Sequence, residues 1–225
     1  MAKKEKPEEV VEVVENTLSR TEQYIEDNQK SLTIIIMAIV LIVGGYLGFQ
    51  KFIVEPQEKE AAELMFQAEH LFEIDSFRIA LEGDNGFLEI ADNYSLTKVG
   101  KLANYYAGVS YLQLGEYENA IDYLNQFSSD DEILMTMSIS AIGDANNELG
   151  NIDDAISYYK KASERKPNKF ITPMLLMKLG LAYESQSNFS DALIAYNKIQ
   201  SDYSDSNEGR NIRKYIAKIE YKLEK

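Results

Sequence analysis

Three stretches of this 225-residue chain align with one another at a nearly constant spacing, and this regularity constrains the fold most. They are YAGVSYLQLGEYENAIDYLNQF at 106–127, IGDANNELGNIDDAISYYKKASERKP at 142–167 and LGLAYESQSNFSDALIAYNKI at 179–199. Each carries a glycine and, twelve residues later, an alanine: Gly108/Ala120, Gly143/Ala155 and Gly180/Ala192. Because the glycines are 143 − 108 = 35 and 180 − 143 = 37 residues apart, the chain repeats one structural unit.

The residues of each unit suit a pair of closely packed helices. Glycine and alanine let two helices approach, and Tyr159 and Tyr196, four residues after their alanines, would fill the remaining gap. Gly115 and Gly150 stand where helices commonly end in glycine. The period is close to the 34 residues of tetratricopeptide repeats. We therefore predict an all-α chain whose body is an α-solenoid.

Two segments flank the three repeats, which we place at 99–206. Residues 56–98 have a helical pattern that predicts a degenerate first helix pair, with a loop around Gly83–Gly86. Residues 207–225 predict a single helix carrying six basic residues and three acids. A polar outer face is what a capping helix needs at the end of a repeat stack. The same basic face would also suit docking of an acidic partner or of lipid.

An apolar run precedes the repeats. Leu32–Phe49 holds eighteen residues without a charge, and a helix of that length spans about 27 Å, close to the ~30 Å hydrocarbon core of a bilayer. We predict a transmembrane helix at 31–55, preceded by a cytoplasmic amphipathic segment at 1–30. A buried core helix or a cleaved signal are the alternatives. The run is long for a signal, and no A-x-A cleavage motif follows it.

Basic residues around the run predict its orientation, since they concentrate on the cytoplasmic side. They are Lys3, Lys4, Lys6, Arg20 and Lys30 before the run, and Lys51 and Lys59 after it. The bias predicts a single-pass protein of the bacterial inner membrane, with its N-terminus in the cytoplasm and its repeat domain in the periplasm.

Three glycines predict a packing face within the transmembrane helix. Gly44 and Gly48 form a G-x-x-x-G pattern with Gly45 beside them, which lets two membrane helices approach closely. The partner would be a second copy in a homodimer or a foreign membrane helix. Ordinary glycine usage in a membrane span is the alternative interpretation.

The residue inventory argues against catalysis. The chain has no cysteine and one histidine, which excludes thiolate chemistry and a histidine-based metal site. It carries no P-loop, H-E-x-x-H, G-x-S-x-G or dinucleotide-binding pattern. A net charge of −14 opposes binding to nucleic acid. We predict a protein that is not an enzyme and has no catalytic residue, metal, cofactor or nucleic-acid partner.

Repeat stacks of this kind present a curved surface, and the first helix of each pair lines its concave side. The predicted protein-binding groove is apolar for the most part, which suits adaptable contact with hydrophobic or extended segments. Its residues are Leu102, Tyr105, Val109 and Leu112 from the first repeat, Met137, Ser140 and Asp144 from the second, and Met174, Met177 and Leu181 from the third. Some of them would belong to the core instead if the protein's own helices cover this face.

The whole layout resembles the membrane-anchored tetratricopeptide proteins that accompany the Sec translocon, the YfgM-like ancillary subunits. The resemblance is carried by an acidic N-terminal segment, TEQYIEDNQKSL before a single span, Gly44 and Gly48 in that span, a degenerate helix pair and three repeats. The closing IQSDYSDSNEGRNIRKYIAKIE resembles versions from Bacteroidota. The resemblance implies partners among Sec translocon subunits, a periplasmic chaperone and exported client proteins, and it implies no catalytic residue.

From this we expect a scaffold at the periplasmic exit side of the translocon that assists exported proteins or their chaperones. The alternative is a structural adaptor that holds one fixed partner in envelope assembly, such as cell division, outer-membrane biogenesis or a secretion apparatus.

Overall fold

The structure, a computed structural model, describes residues 24–225, so most of the predicted amphipathic segment at 1–30 lies outside the described residues. The chain divides into two compact units between Val54 and Glu55. The first unit contains helix α1, Gln29–Phe49, followed by a π-helical turn, Gln50–Val54. Throughout residues 24–225 the regular structure is helical.

Helix α1 carries the predicted span. None of its residues is buried, and an 18-residue window there has a mean hydropathy of 2.5. Its length and composition are sufficient to cross a membrane, and it is compatible with single-pass anchoring. A signal sequence near the N-terminus would have the same properties.

The second unit, Glu55–Lys225, contains ten helices, all within the described range. They are α2 Glu55–Glu73, α3 Phe77–Glu82, α4 Phe87–Asn93, α5 Lys98–Leu114, α6 Tyr117–Gln126, α7 Glu132–Glu148, α8 Ile152–Glu164, α9 Thr172–Ser185, α10 Phe189–Asp202 and α11 Asn207–Leu223. Three pairs, α5/α6, α7/α8 and α9/α10, form the repeats, and each pair packs on the next along the chain. This is the predicted all-α solenoid, and that prediction is confirmed.

The region at 56–98 contains α2 and two short helices, α3 and α4, separated by a turn at Gly83–Gly86. Helix α2 packs on α3, α4 and α5. Phe72 of α2 meets Phe87 and Tyr106 edge to face, with ring centroids 6.1 and 5.1 Å apart. These aromatic contacts close the N-terminal side of the stack.

The glycine of each repeat lies against a large side chain of its second helix, as the sequence predicts. A Cβ atom at Gly143 would lie 2.7 Å from Tyr159 Cε1, and one at Gly180 only 2.2 Å from Tyr196 Cε1. In the first repeat Leu124 takes the place of the tyrosine, 2.5 Å from a Cβ at Gly108. The second helix therefore packs directly onto the backbone of the first.

The ends of the first helices are sharply defined. Gly115 (φ 77°) and Gly150 (φ 79°) end α5 and α7 in the left-handed conformation, which confirms that prediction. Ser187 adopts φ 59° at the corresponding place in the third repeat. At the N-termini, Thr97 Oγ1 accepts a hydrogen bond from Gly100 N, and Asp131 Oδ1 accepts from Ile133 N.

Helix α11 closes the other side of the stack by packing on α10 and α9. Its apolar stripe, Ile212, Ile216 and Ile219, is buried in the core of the last repeat. The opposite face carries basic residues and Tyr221, which is 59% exposed.

Candidate functional site

The ten predicted groove residues lie on helices α5, α7 and α9, the first helices of the three repeats. Eight of them are half-buried. The exceptions are Ser140, which is 1% exposed, and Leu181, which is 45% exposed. The structure therefore brings these residues to the same set of helices, with their side chains at the boundary between the core and the surface.

Many of these side chains take part in the repeats' own packing. Leu102 contacts the N-terminal core, and Tyr105 and Val109 pack on the cluster formed by Leu124, Ala141 and Ile142. Met174 and Met177 likewise pack on the cores of the later repeats. Each side chain thus offers only part of its surface to a partner. Leu181 is the predicted residue with the largest exposed fraction.

An ion pair that the sequence analysis missed crosses this face. Lys178 Nζ of α9 lies 2.6 Å from Asp144 Oδ2 of α7 and donates a weaker hydrogen bond, 3.3 Å long, to Ser140 Oγ. Tyr159 OH donates to Asp144 Oδ1 at 2.8 Å. Burial, reinforced by the Asp144 carboxylate, raises the pKa of the Tyr159 phenol well above its ordinary value. The predicted apolar groove therefore has a polar, internally paired centre.

The same arrangement recurs one repeat later. Tyr196 OH donates to Glu184 Oε1 at 2.8 Å, and Lys218 Nζ lies 2.6 Å from Glu184 Oε2. Burial is again the main cause that raises the pKa of Tyr196, followed by its hydrogen bond to Glu184. In both copies the lysine follows its acid by 34 residues, close to one repeat period. Opposite charges at that spacing are compatible with such pairs, but the spacing alone does not show that the side chains meet.

A cleft of about 520 Å³ lies at one end of the same face, between α2, α5 and α7. Leu102 and Leu134 provide apolar surface, while Lys98, Lys101 and the loop 127–131 provide polar groups. The Glu58 carboxylate accepts a hydrogen bond from Lys98 N at 2.7 Å and so satisfies a free amide at the start of α5. Of the predicted groove residues, Leu102 is the one that lines this cleft.

The three glycines of α1 have open space around them. Apart from its chain neighbours and the backbone of its own helix, a Cβ atom at Gly44, Gly45 or Gly48 would find no atom within 4 Å. Within residues 24–225, no group of three or more His, Cys, Asp or Glu side chains is placed to hold a metal ion.

These features define an α-solenoid of stacked helix pairs with an exposed face along its first helices. Comparison with known families specifies the repeat: residues 102–131 and 141–207 match models of the tetratricopeptide repeat. These residues therefore have the pattern of tetratricopeptide repeats, a fold that typically serves as a non-catalytic scaffold for binding other proteins. No curated protein matches the chain.

Proposed function

We propose that the protein is a membrane-anchored scaffold that holds an extended, partly apolar segment of another protein along helices α5, α7 and α9. The observation that carries the proposal is the row of half-exposed apolar side chains on successive first helices, ending at Leu181 with 45% of its surface exposed. Met137, Met174 and Met177 in this row have flexible side chains that adapt to different apolar partners.

Anchoring would come from α1, whose unburied apolar surface suits the interior of a bilayer. An anchor confines the groove to a thin layer beside the membrane and raises its effective concentration for partners there. We further propose that this layer is the periplasmic exit side of the Sec translocon, with exported chains or their chaperones as clients. The resemblance in overall layout supports that location.

A second candidate is an adaptor that holds one fixed partner in envelope assembly. The paired centre of the groove favours it, because Lys178 already donates hydrogen bonds to both Asp144 and Ser140. A groove with fixed polar contacts selects its ligand more strongly than a purely apolar one.

Site-specific photo-crosslinking in cells tests the proposal. A crosslinker at Tyr105 or Met174 should capture partner chains, which mass spectrometry of a gentle-detergent extract would identify. A crosslinker at Ile194, which is 66% exposed on the second helix of the third repeat, is the matched control. Translocon subunits in the extract, together with many exported chains on the two groove positions, would support the export role.

One dominant envelope partner without the translocon would contradict the export role and favour the adaptor. If crosslinkers at Tyr105 and Met174 capture no more protein than the one at Ile194, the proposal that this groove binds a partner is wrong. Leu181→Glu should weaken capture at Met174, because it places a charge on the exposed apolar surface. The matched change Ile194→Glu should leave capture unchanged.

A further inference from the structure

Three large apolar side chains are exposed near the starts of the three first helices. Leu96, Ile133 and Phe170 are 61%, 58% and 91% exposed, and they are separated by 133 − 96 = 37 and 170 − 133 = 37 residues. Leu96 and Phe170 lie two residues before α5 and α9, and Ile133 is the second residue of α7. One exposed apolar residue is ordinary, but one near the start of each first helix indicates a surface that binds something.

Contacts and a shared cleft place these residues along one edge of the stack. Lys98 and the loop 127–131, which leads to Ile133, line the same cleft. Glu58, near the start of α2, bonds to Lys98 N at the start of α5. Glu132, which begins α7, pairs with Arg165 and Lys166 of the loop before α9 at 2.8 and 2.9 Å. We call this edge, formed by the starts of α2, α5 and α7 and by the loop before α9, the N-edge.

The loop that presents Phe170 is held in place by its own hydrogen bonds. Asn168 Oδ1 accepts from Phe170 N and Ile171 N at 2.9 and 3.0 Å, and Asn168 N donates to Thr172 Oγ1 at 2.8 Å. Thr172 itself is buried. Because the backbone is fixed on both sides, the phenyl ring is held out in water, where it gains nothing from burial.

The chain enters the repeat unit at this same edge. Glu55 begins both α2 and the repeat unit, and Glu58, three residues later, already makes the N-edge contact with Lys98. The residue before Glu55 belongs to the unit that carries the apolar α1. If α1 crosses a bilayer, only a few residues of chain separate the end of the span from Glu58.

The charges of the N-edge also suit lipid. The whole chain carries a net charge of −14, which repels anionic headgroups, yet exposed lysines stand beside the apolar row. Lys98 follows Leu96 and Lys169 directly precedes Phe170, whereas Lys166 is already paired with Glu132. Lysine side chains reach phosphate groups while neighbouring apolar side chains enter the layer below them.

We propose that the N-edge docks on the surface of the bilayer, with Leu96, Ile133 and Phe170 inserted below the lipid headgroups. The inference rests on the anchoring role of α1 in the proposed function. The anchor supplies a high local concentration of lipid, so three side chains suffice even though they would bind weakly alone. Docking would hold the groove of the first helices at a fixed angle to the membrane.

The protein contains no tryptophan, so a single introduced tryptophan reports its own surroundings. Full-length variants Leu96→Trp, Ile133→Trp and Phe170→Trp would be reconstituted in phosphatidylcholine vesicles that contain lipid brominated along its acyl chains. Ile194→Trp, exposed in the middle of α10, is the control for a surface position away from the N-edge. Ile36→Trp, in α1, reports the anchor separately.

Docking predicts blue-shifted emission from the three N-edge tryptophans and quenching by bromolipid several-fold stronger than at Ile194→Trp. If Ile36→Trp is quenched but the N-edge tryptophans behave like Ile194→Trp, the docking is wrong and the anchor stands. If Ile36→Trp is not quenched either, α1 does not enter the bilayer. Both the proposed anchor and the docking proposal that rests on it are then wrong. A blue shift without quenching would mean that a second protein copy covers the N-edge, which also overturns the proposal.

Hydrogen exchange of the unsubstituted protein provides an independent measurement. Amides of the loop 165–171 should exchange more slowly in vesicles than in detergent micelles, whereas those of α10 around Ile194 should not change. Equal rates for the loop in both conditions would overturn the docking, whatever the tryptophan variants do.

Discussion

Lys178 of α9 and Asp144 of α7 form a 2.6 Å ion pair that joins the first helices of two successive repeats. Each side chain is 29% exposed, so the pair is only partly screened by water. Tyr159 from the second helix of the earlier repeat bonds to the same carboxylate. The cluster therefore ties together three helices at the centre of the candidate groove.

Removing the lysine should destabilise the repeat stack. Lys178→Met leaves Asp144 with the tyrosine alone, and we expect the free energy of unfolding to fall by about 1–2 kcal/mol, between the values for exposed and buried pairs. Urea denaturation followed by circular dichroism measures this. Lys59→Met, at a position 75% exposed, should cost less than about 0.5 kcal/mol. Equal losses in the two variants would contradict a special role for Lys178.

The packing within each repeat could be predicted from the sequence, because it depends on spacing along one helix pair. Gly143 and Tyr159, or Gly180 and Tyr196, recur at fixed intervals and meet as expected. The ion pair across the groove could not be derived in the same way. Whether Lys178 reaches Asp144 depends on how two successive repeats are staggered, which the periodicity of a single helix does not specify.

The exposure of the three apolar residues of the N-edge could not be predicted from the sequence either. Leu96, Ile133 and Phe170 precede or begin helices, where apolar residues commonly turn inward and join the core. The loop around Phe170 is held by local hydrogen bonds of Asn168 and by the ion pairs that Arg165 and Lys166 make with Glu132. The ion pairs join segments more than 30 residues apart, and no local sequence pattern predicts them.

Gly180→Ala tests the close approach of the helices in the third repeat. In an open helix this change stabilises by roughly 1 kcal/mol, but here the new Cβ would overlap the Tyr196 ring. We expect the free energy of unfolding to fall by about 2–3 kcal/mol, since overpacking in a rigid core forces backbone shifts. Adding Tyr196→Leu should make the double variant less unstable than the sum of the two single changes. Strict additivity would show that Gly180 and Tyr196 do not compete for space.

Ser187→Gly should stabilise the protein, in contrast to Gly180→Ala. Ser187 has φ 59°, a left-handed conformation that costs an ordinary residue about 1–2 kcal/mol. Glycine removes this cost but loses more entropy on folding, so we expect a net gain of about 0.5–1 kcal/mol. Thermal unfolding should show a higher Tm for Ser187→Gly. An unchanged or lower Tm would indicate that the serine makes a compensating contact.

Stability should fall at alkaline pH because of Tyr159 and Tyr196. Burial raises the pKa of both phenols in the folded protein above the value of about 10 expected in the unfolded chain. Their contribution is complete below about pH 10 and is lost as pH rises from there towards the folded pKa, because the unfolded state releases these protons first. Each phenol should lower the free energy of unfolding by up to about 1.4 kcal/mol per pH unit in that range.

Urea denaturation between pH 9 and pH 11 measures this slope. The double variant Tyr159→Phe/Tyr196→Phe has neither phenol to titrate, so its stability should depend less steeply on pH above 10 than that of the parent protein. The absence of tryptophan allows a direct check, because absorbance near 295 nm then reports tyrosinate alone. Tyr159 and Tyr196 should resist ionisation until the protein unfolds, so the parent protein should show two fewer titrating tyrosines than the unfolded chain beyond those that the double variant also protects. If the double variant keeps the full slope, other groups cause the alkaline instability and the two buried phenols do not control it.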